Sequence, residues 1–246
     1  MLVKIYFLGI GGWDSHRVLG HTSILIEFRP DLRFLVDAGE GTYFALKECT
    51  CFDVKNIEYI ILTHRHGDHI LGMATISQFV KFKGVRPTVI CNEDVLNALK
   101  ELFNAVGVPK HFDLFNFKVI DPPTELLIKD VKLRFIKAKH PLPSFSVRFD
   151  YGGKCVVISG DTAPNEELMN LARECDVLIH EVSTNDYRRE EAHTIGHSSV
   201  SDALNIAKKT SVKYLVPLHF PEEPIIFSNA DGVNIVFPYR CMCLKL

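Results

Sequence analysis

Apolar residues along the chain fall into short runs broken by turn-forming residues, with longer stretches of helical spacing between them. Strand-like runs occupy residues 2–8, 23–28, 33–36, 58–63 and 88–91, then 131–136, 146–149, 155–159, 176–180, 214–217 and 233–237. Tyr151-Gly152-Gly153-Lys154 sits between two of these runs and predicts a tight hairpin. Helical spacing predicts a helix over 68–83, carrying Ile70, Leu71, Ala74, Phe79 and Val80. A second, over 94–105, places Val95, Leu96, Leu99, Leu102 and Phe103 on one face. Pro164 opens a third over 164–173, as a proline in the first turn does, and a fourth over 199–209 carries Val200, Ala203, Leu204 and Ala207. Strands interleaved with helices, some joined by hairpins, predict an α/β protein with mixed sheets. No low-complexity segment, charge block or linker interrupts the pattern, so a single domain over 1–246 is expected.

Composition adds limits. With 246 residues, 47% of them hydrophobic and 24% charged, the chain can bury a sizeable core. No apolar run approaches the roughly 18 residues that a membrane span needs. The apolar N-terminus lacks the basic leader and small-residue cleavage site of a signal peptide, so a soluble, cytoplasmic protein with no membrane partner is expected. A net charge of −2 provides no global pull toward nucleic acid. The seven cysteines are scattered. Two C-x-C pairs, Cys49/Cys51 and Cys241/Cys243, allow a shared zinc site; the plainer expectation is free, buried thiols in a reducing compartment.

The densest chemistry is Thr63-His64-Arg65-His66-Gly67-Asp68-His69, directly after the run 58–63. Three histidines and an aspartate within six positions at a strand's end exceed anything packing requires. Side chains two apart on an extended segment share a side, so His64 and His66 can serve one metal, and Asp68 and His69 can turn toward a second as a helix begins. Imidazole nitrogens and carboxylate oxygens suit zinc, with manganese or iron as alternatives.

This motif resembles that of the metallo-β-lactamase superfamily, whose fold is a four-layer αββα arrangement. The resemblance implies three further ligands from separate strand ends. His140 follows the strand-like run 131–136, Asp161 closes Val157-Ile158-Ser159-Gly160-Asp161-Thr162, and His219 follows Tyr214-Leu215-Val216-Pro217-Leu218. It further implies that His64, His66 and His140 hold one of two divalent metal ions, that Asp68, His69 and His219 hold the other, and that Asp161 bridges them. Two divalent cations, two aspartates and a bridging hydroxide leave a slightly positive site, which suits an anionic phosphodiester.

Within the superfamily four segments resemble ribonuclease Z: Phe7-Leu8-Gly9-Ile10-Gly11, Val36-Asp37-Ala38-Gly39-Glu40-Gly41-Thr42, His180-Glu181-Val182-Ser183 and Gly196-His197-Ser198-Ser199. The resemblance implies a phosphodiesterase in which a metal-bridged hydroxide attacks phosphorus, Asp68 belongs to the catalytic set, and His197, oriented by Glu181, protonates the leaving oxygen. Substrates would be RNA 3′ regions, tRNA precursors among them, and the assembly a homodimer. Asp37 either orients the metal loop through hydrogen bonds or forms an ordinary turn. Ser198 and Ser199 either belong to the catalytic segment or simply start a helix, with His197 exposed beside it. His180 reads as structural; His16, His21, His111 and His193 have no motif around them.

One departure bears on substrate. Ribonuclease Z enzymes insert a long tRNA-gripping arm between the positions matching His140 and Asp161, and here that interval is 21 positions, room for a hairpin only. A basic run, Lys129, Lys132, Arg134, Lys137 and Lys139, is either a phosphate-binding stripe or a solvated strand face. The alternatives are a small-molecule or cyclic phosphodiesterase, a thioester or lactam hydrolase, and a non-catalytic RNA-binding scaffold.

Overall fold

The computed structural model describes residues 2–228 and 230–246. In chain order the elements are β1 (Lys4–Gly9), β2 (Ser23–Arg29), β3 (Leu32–Val36), α1 (Thr42–Cys49), β4 (Tyr59–Ile61), α2 (Gly67–Ile70), α3 (Gly72–Lys83), β5 (Thr88–Cys91), α4 (Glu93–Ala105) and β6 (Asn116–Val119). They continue with β7 (Thr124–Ile128), β8 (Val131–Lys137), β9 (Phe145–Tyr151), β10 (Lys154–Ile158), α5 (Glu166–Ala172), β11 (Val177–Glu181), α6 (Arg189–Thr194), α7 (Val200–Thr210), β12 (Tyr214–Leu218) and β13 (Cys243–Lys245). The fold has two compact units: Met1–Asp121 with Tyr239–Leu246, and Pro122–Pro238. Among the described residues no helix is long and apolar enough to cross a membrane.

The first unit is built on a sheet of order β13-β1-β2-β3-β4-β5-β6. Its first four strands pair antiparallel, and β3 through β6 pair parallel. Parallel neighbours need crossovers, which α1, α3 and α4 provide. These helices press Leu46, Met73, Ile76, Val80, Val95, Leu99 and Phe103 onto Leu8, Leu25, Leu35, Leu62 and Val89 of the sheet. The second unit has the order β12-β11-β10-β9-β8-β7, parallel from β10 to β12 and antiparallel from β10 to β7. Here α5 and α7 place Leu168, Leu171, Val200, Ala203, Leu204 and Ala207 against Val157, Leu178 and Leu215. The mixed sheets expected from the chain are present in both units. Tyr151 pairs with Lys154 across a two-glycine turn, with Gly152 and Gly153 at φ of 56° and 76°, the left-handed conformation such a turn needs.

Several expectations change. The helix over 68–83 is two, α2 and α3, separated at Leu71, where the Gly72 amide donates to the Ala38 carbonyl at 2.9 Å. Pro164 lies outside its helix: Asn165 caps α5, its side chain accepting from the Leu168 amide at 2.7 Å. The run 233–237 is no strand, because only Ile235 bridges to Leu215. Conversely α1, α6, β6, β7 and β13 were not expected. β13 and β6 lie at the two edges of one sheet and β7 at an edge of the other, where pairing with one neighbour rather than intrinsic preference makes the strand.

The cysteine expectation is also corrected. Cys49 is disulfide-bonded to Cys241 and Cys155 to Cys175, so neither a four-thiol zinc site nor a fully reduced set describes the chain. The causes are pairings distant in sequence. β13 beside β1 carries Cys241 to the end of α1, and the parallel register Val156–Val177 brings Cys155 to Cys175. Cys51, Cys91 and Cys243 are free thiols. Only Cys91 is fully buried, and burial pushes its thiol up to about 12.

The start of α7 supports a prediction. The buried Asp202 carboxylate accepts from the Ser199 amide at 3.0 Å and the Ser199 hydroxyl at 2.9 Å, and pairs with Arg189 at 2.7 Å and His193 at 2.7 Å. Burial disfavours the charge, but these donors outweigh it and hold the carboxyl below its usual range. A lowered folded pKa contributes stability above the unfolded value of about 4, lost as pH falls through the folded value. Asp202→Ala should therefore cost about 1–3 kcal/mol at neutral pH. The deficit against wild type should shrink in urea melts repeated at progressively lower pH; a pH-independent deficit would exclude the electrostatic origin.

Candidate metal centre

In the first unit, β3 and β4 are parallel neighbours in the register Val36–Ile61, so the segments leaving their carboxyl ends begin side by side. Asp37 leaves β3 with φ of 58°, a left-handed conformation that Asp tolerates better than most side chains. Its carboxylate is buried and accepts from the Thr63 amide at 2.8 Å, the Thr63 hydroxyl at 3.0 Å and His69 Nδ1 at 2.9 Å. Asp37 thus ties the motif loop to β3, the orienting role of the two readings. Along that loop His64 Nε2 approaches His66 Nδ1 to 3.0 Å, and His69 Nε2 approaches Asp68 Oδ2 to 3.4 Å. His64, Asp68 and His69 are buried; His66, at the entrance of α2, is exposed.

In the second unit the parallel trio β10, β11 and β12 brings Asp161, Glu181 and His219 to the same carboxyl edge. His219 is at φ of 63°, and its Nε2 lies 3.2 Å from Asp161 Oδ2. Glu181 is buried and collects donors: the Thr162 amide at 2.7 Å, the Ser198 amide at 3.2 Å, the Ser183 hydroxyl at 2.5 Å and His197 Nδ1 at 3.0 Å. His197 is not the exposed neighbour of a helix start; its ring is buried, stacks on His219 at 5.5 Å and has Nδ1 4.0 Å from Asp161. Ser199 starts α7 as the plainer reading holds, yet the same segment carries His197 to Glu181. Burial works against a charged His197 ring, but Glu181 and then Asp161 outweigh it, so its pKa is raised. The His197 and His140 rings are 5.6 Å apart. Gly196 makes this approach feasible: at φ of 83°, a Cβ there would meet Pro141 Cδ at 2.5 Å and His140 Cα at 2.8 Å.

The donor chemistry fits metal ions. His64, His69 and His219 are each anchored at Nδ1, by the Thr63 hydroxyl at 3.1 Å, Asp37 and the Ser183 hydroxyl at 2.9 Å. In these three rings Nε2 is the nitrogen directed away from its anchor, the arrangement that outer hydrogen bonds impose on metal-binding imidazoles. His140 differs: its Nδ1 lies 3.2 Å from the Leu142 amide, which donates to it, and 3.4 Å from the Leu142 carbonyl.

A family model for the Beta-lactamase superfamily domain matches residues 32–220. The chain belongs to this superfamily. Ribonuclease Z of Methanocaldococcus jannaschii is 28% identical over 274 aligned positions, covering 89% of this chain and 86% of that protein. The zinc phosphodiesterase ELAC protein 2 homolog of Caenorhabditis elegans is 24% identical over 94% of this chain, which spans only 34% of that longer protein. Among solved structures, the metallo-β-lactamase fold protein YhfI from Bacillus subtilis superposes with a TM-score of 0.84 at 19% identity, covering 99% of both chains. The superfamily fold expected from the motif is therefore present, in a ribonuclease Z-like member.

Two features bear on the substrate. The alignment with the Methanocaldococcus protein is 274 positions long against a chain of 246, so that relative carries inserted residues absent here. Between His140 and Asp161 this chain has only β9, the glycine turn and β10. The basic stripe is partly neutralised: Lys132 pairs with Glu125 at 2.8 Å and Arg134 with Asp150 at 3.0 Å. His111 bonds Ser77 and His193 bonds Asp202, both outside the constellation. His180 is buried with Nδ1 on the Glu181 carbonyl at 2.7 Å, which agrees with a structural role. Thr63, Thr162 and Ser183 fall inside the motif segments read from the sequence, but their anchoring role does not follow from it, because each serves it through a contact that only the fold or the local loop geometry makes.

Proposed function

We propose that the chain is a metal-dependent phosphodiesterase in which His64, His66 and His140 would hold one divalent metal, Asp68, His69 and His219 would hold a second, and the Asp161 carboxylate would serve both. Support comes from the order of these residues along the chain and from the donor groups assembled within each unit. Zinc suits the nitrogen-rich set. When bound, the two cations neutralise phosphate charge and make water nucleophilic at neutral pH. Asp68 is kept in the catalytic set as a metal-binding carboxylate, while Glu181 holds His197 so that Nε2 faces outward to protonate the departing oxygen. The carrying observation is the buried Glu181–His197 contact of 3.0 Å beside Asp161 and His219, a proton donor next to metal-type ligands. It favours a leaving group that needs a proton, as the alkoxide of a phosphodiester does, over a thiolate. One functional domain over residues 1–246 is part of the proposal: the chain leaves the first unit at Asp121 and returns to it at Tyr239, where β13 pairs with β1.

The substrate is a phosphodiester, RNA 3′ regions or smaller. The short β9–β10 hairpin favours the smaller, because remote grip on a tRNA supplies orientation that a glycine turn cannot. Metal-loaded protein should hydrolyse bis-p-nitrophenyl phosphate and a cyclic nucleotide or other small diester readily, with little salt dependence. It should process a tRNA precursor poorly. Efficient, site-specific cleavage of the precursor by the isolated protein would reverse the substrate order; no turnover of any diester would remove the function. A homodimer is proposed with it, checked by sedimentation. A cytoplasmic location is proposed from the likeness to ribonuclease Z, and the two disulfides count against it; alkylating thiols at lysis decides, since four protected cysteines would place the protein in an oxidising compartment.

A further inference from the structure

Ser183 is an unassigned residue that touches three groups of the second-unit constellation at once. Its hydroxyl lies 2.5 Å from Glu181 Oε2, 2.9 Å from His219 Nδ1 and 3.2 Å from His197 Nδ1. A hydroxyl has one hydrogen to give and two lone pairs to offer. Glu181 receives the Thr162 and Ser198 amides, which can only donate, so its carboxylate is an acceptor and takes the Ser183 hydrogen. Two contacts remain, both to ring nitrogens, and the oxygen can meet them only as an acceptor. His219 therefore carries its hydrogen on Nδ1, and its Nε2, 3.2 Å from Asp161, bears the lone pair that a metal requires. His197 also carries hydrogen on Nδ1, shared between Glu181 and Ser183, which leaves Nε2 as the end that handles a substrate proton.

We propose that Ser183 is a positioning residue whose single hydroxyl holds the Nδ1–H of both His219 and His197, leaving both Nε2 atoms for the site and so coupling metal binding to proton donation. The inference rests on the phosphodiesterase reading above for what the two rings do, but not for the tautomers themselves. Nearby backbone geometry holds the hydroxyl in place: the Ser183 amide donates to the Ser198 carbonyl at 3.1 Å and the Val182 amide to the Leu218 carbonyl at 2.8 Å. The serine is thus pinned to the segments carrying both His197 and His219.

The test compares wild type with Ser183→Ala and Ser183→Thr in the full chain. Imidazole nitrogen NMR of the metal-free protein reads the tautomers, and zinc affinity is measured by chelator competition. Wild type should show Nδ1–H on both rings. Ser183→Ala should give mixed tautomers at His219, weaken zinc binding about 10–100-fold, and slow diesters with alkoxide leaving groups more than aryl diesters. Ser183→Thr, which keeps the hydroxyl, should return all three readouts to within about threefold of wild type. Unchanged tautomers and zinc affinity in Ser183→Ala would overturn the proposal. So would equal losses in the Ala and Thr variants, which would mark a packing role. If the tautomer and zinc results hold while wild type cleaves no diester, the phosphodiesterase reading falls and the role of Ser183 in ordering the rings stands.

Discussion

His197→Ala should lower turnover of phosphodiesters with alkoxide leaving groups by about two to four orders of magnitude, the usual range for a positioned general acid, while aryl diesters should lose far less. The asymmetry follows from what the leaving group requires. A nitrophenolate departs as a stable anion, whereas a sugar alkoxide must be protonated as the bond to phosphorus breaks. His197 is the buried imidazole held on Glu181 at 3.0 Å, with a raised pKa that favours the charged donor. Steady-state rates on the two substrate types, at saturating metal, make the comparison. Equal losses on both would show that the ring binds or orders the site rather than delivering a proton. Glu181→Gln should reproduce the pattern in weaker form, because the amide keeps the shape but supplies no charge to hold the imidazolium.

Asp37→Ala should weaken zinc binding about 10–100-fold, the usual cost of removing a hydrogen bond behind a metal-binding imidazole. Asp37 contacts no proposed substrate position. It accepts from His69 Nδ1 at 2.9 Å and from the Thr63 amide at 2.8 Å, fixing one ring and the backbone of the loop that carries His64. Truncation also leaves the buried Thr63 amide without its acceptor, at about 1–3 kcal/mol. Chelator competition gives the affinity and urea melts give the stability. Asp37→Asn should retain most of the stability, since Asn also tolerates the left-handed backbone, yet lose affinity, because its amide presents an N–H where an acceptor belongs. An Ala variant that binds zinc like wild type would place the orienting force elsewhere.

Much of this arrangement was legible because the chemistry is local. His64, His66, Asp68 and His69 fall within six consecutive positions shortly after one strand, and a cluster so dense has few structural explanations. Helices α3, α4 and α7 were readable for the same reason: each repeats its apolar positions within one stretch of chain. His140, Asp161 and His219 were named through family order, since singly each is an unremarkable residue after an apolar run. Short edge elements escaped. β13 has three residues and forms because β1 offers it a partner more than two hundred residues away.

The sequence by itself determined the α/β class, most of the central strands and the residue types of the site, because these depend on periodicity and on motifs confined to neighbouring positions. Tertiary structure alone decided which groups serve those residues. Asp37 reaches Thr63 and His69 only because β3 and β4 pair in parallel, and Ser183 reaches His197 and His219 only because the chain returns twice to the end of β11. Cys155 meets Cys175, and Cys49 meets Cys241, through strand pairing that no local pattern encodes. The physical reason is common to all of these cases. A hydrogen bond or disulfide depends on distances of a few ångströms, and between residues far apart in sequence those distances exist only after the sheets have closed.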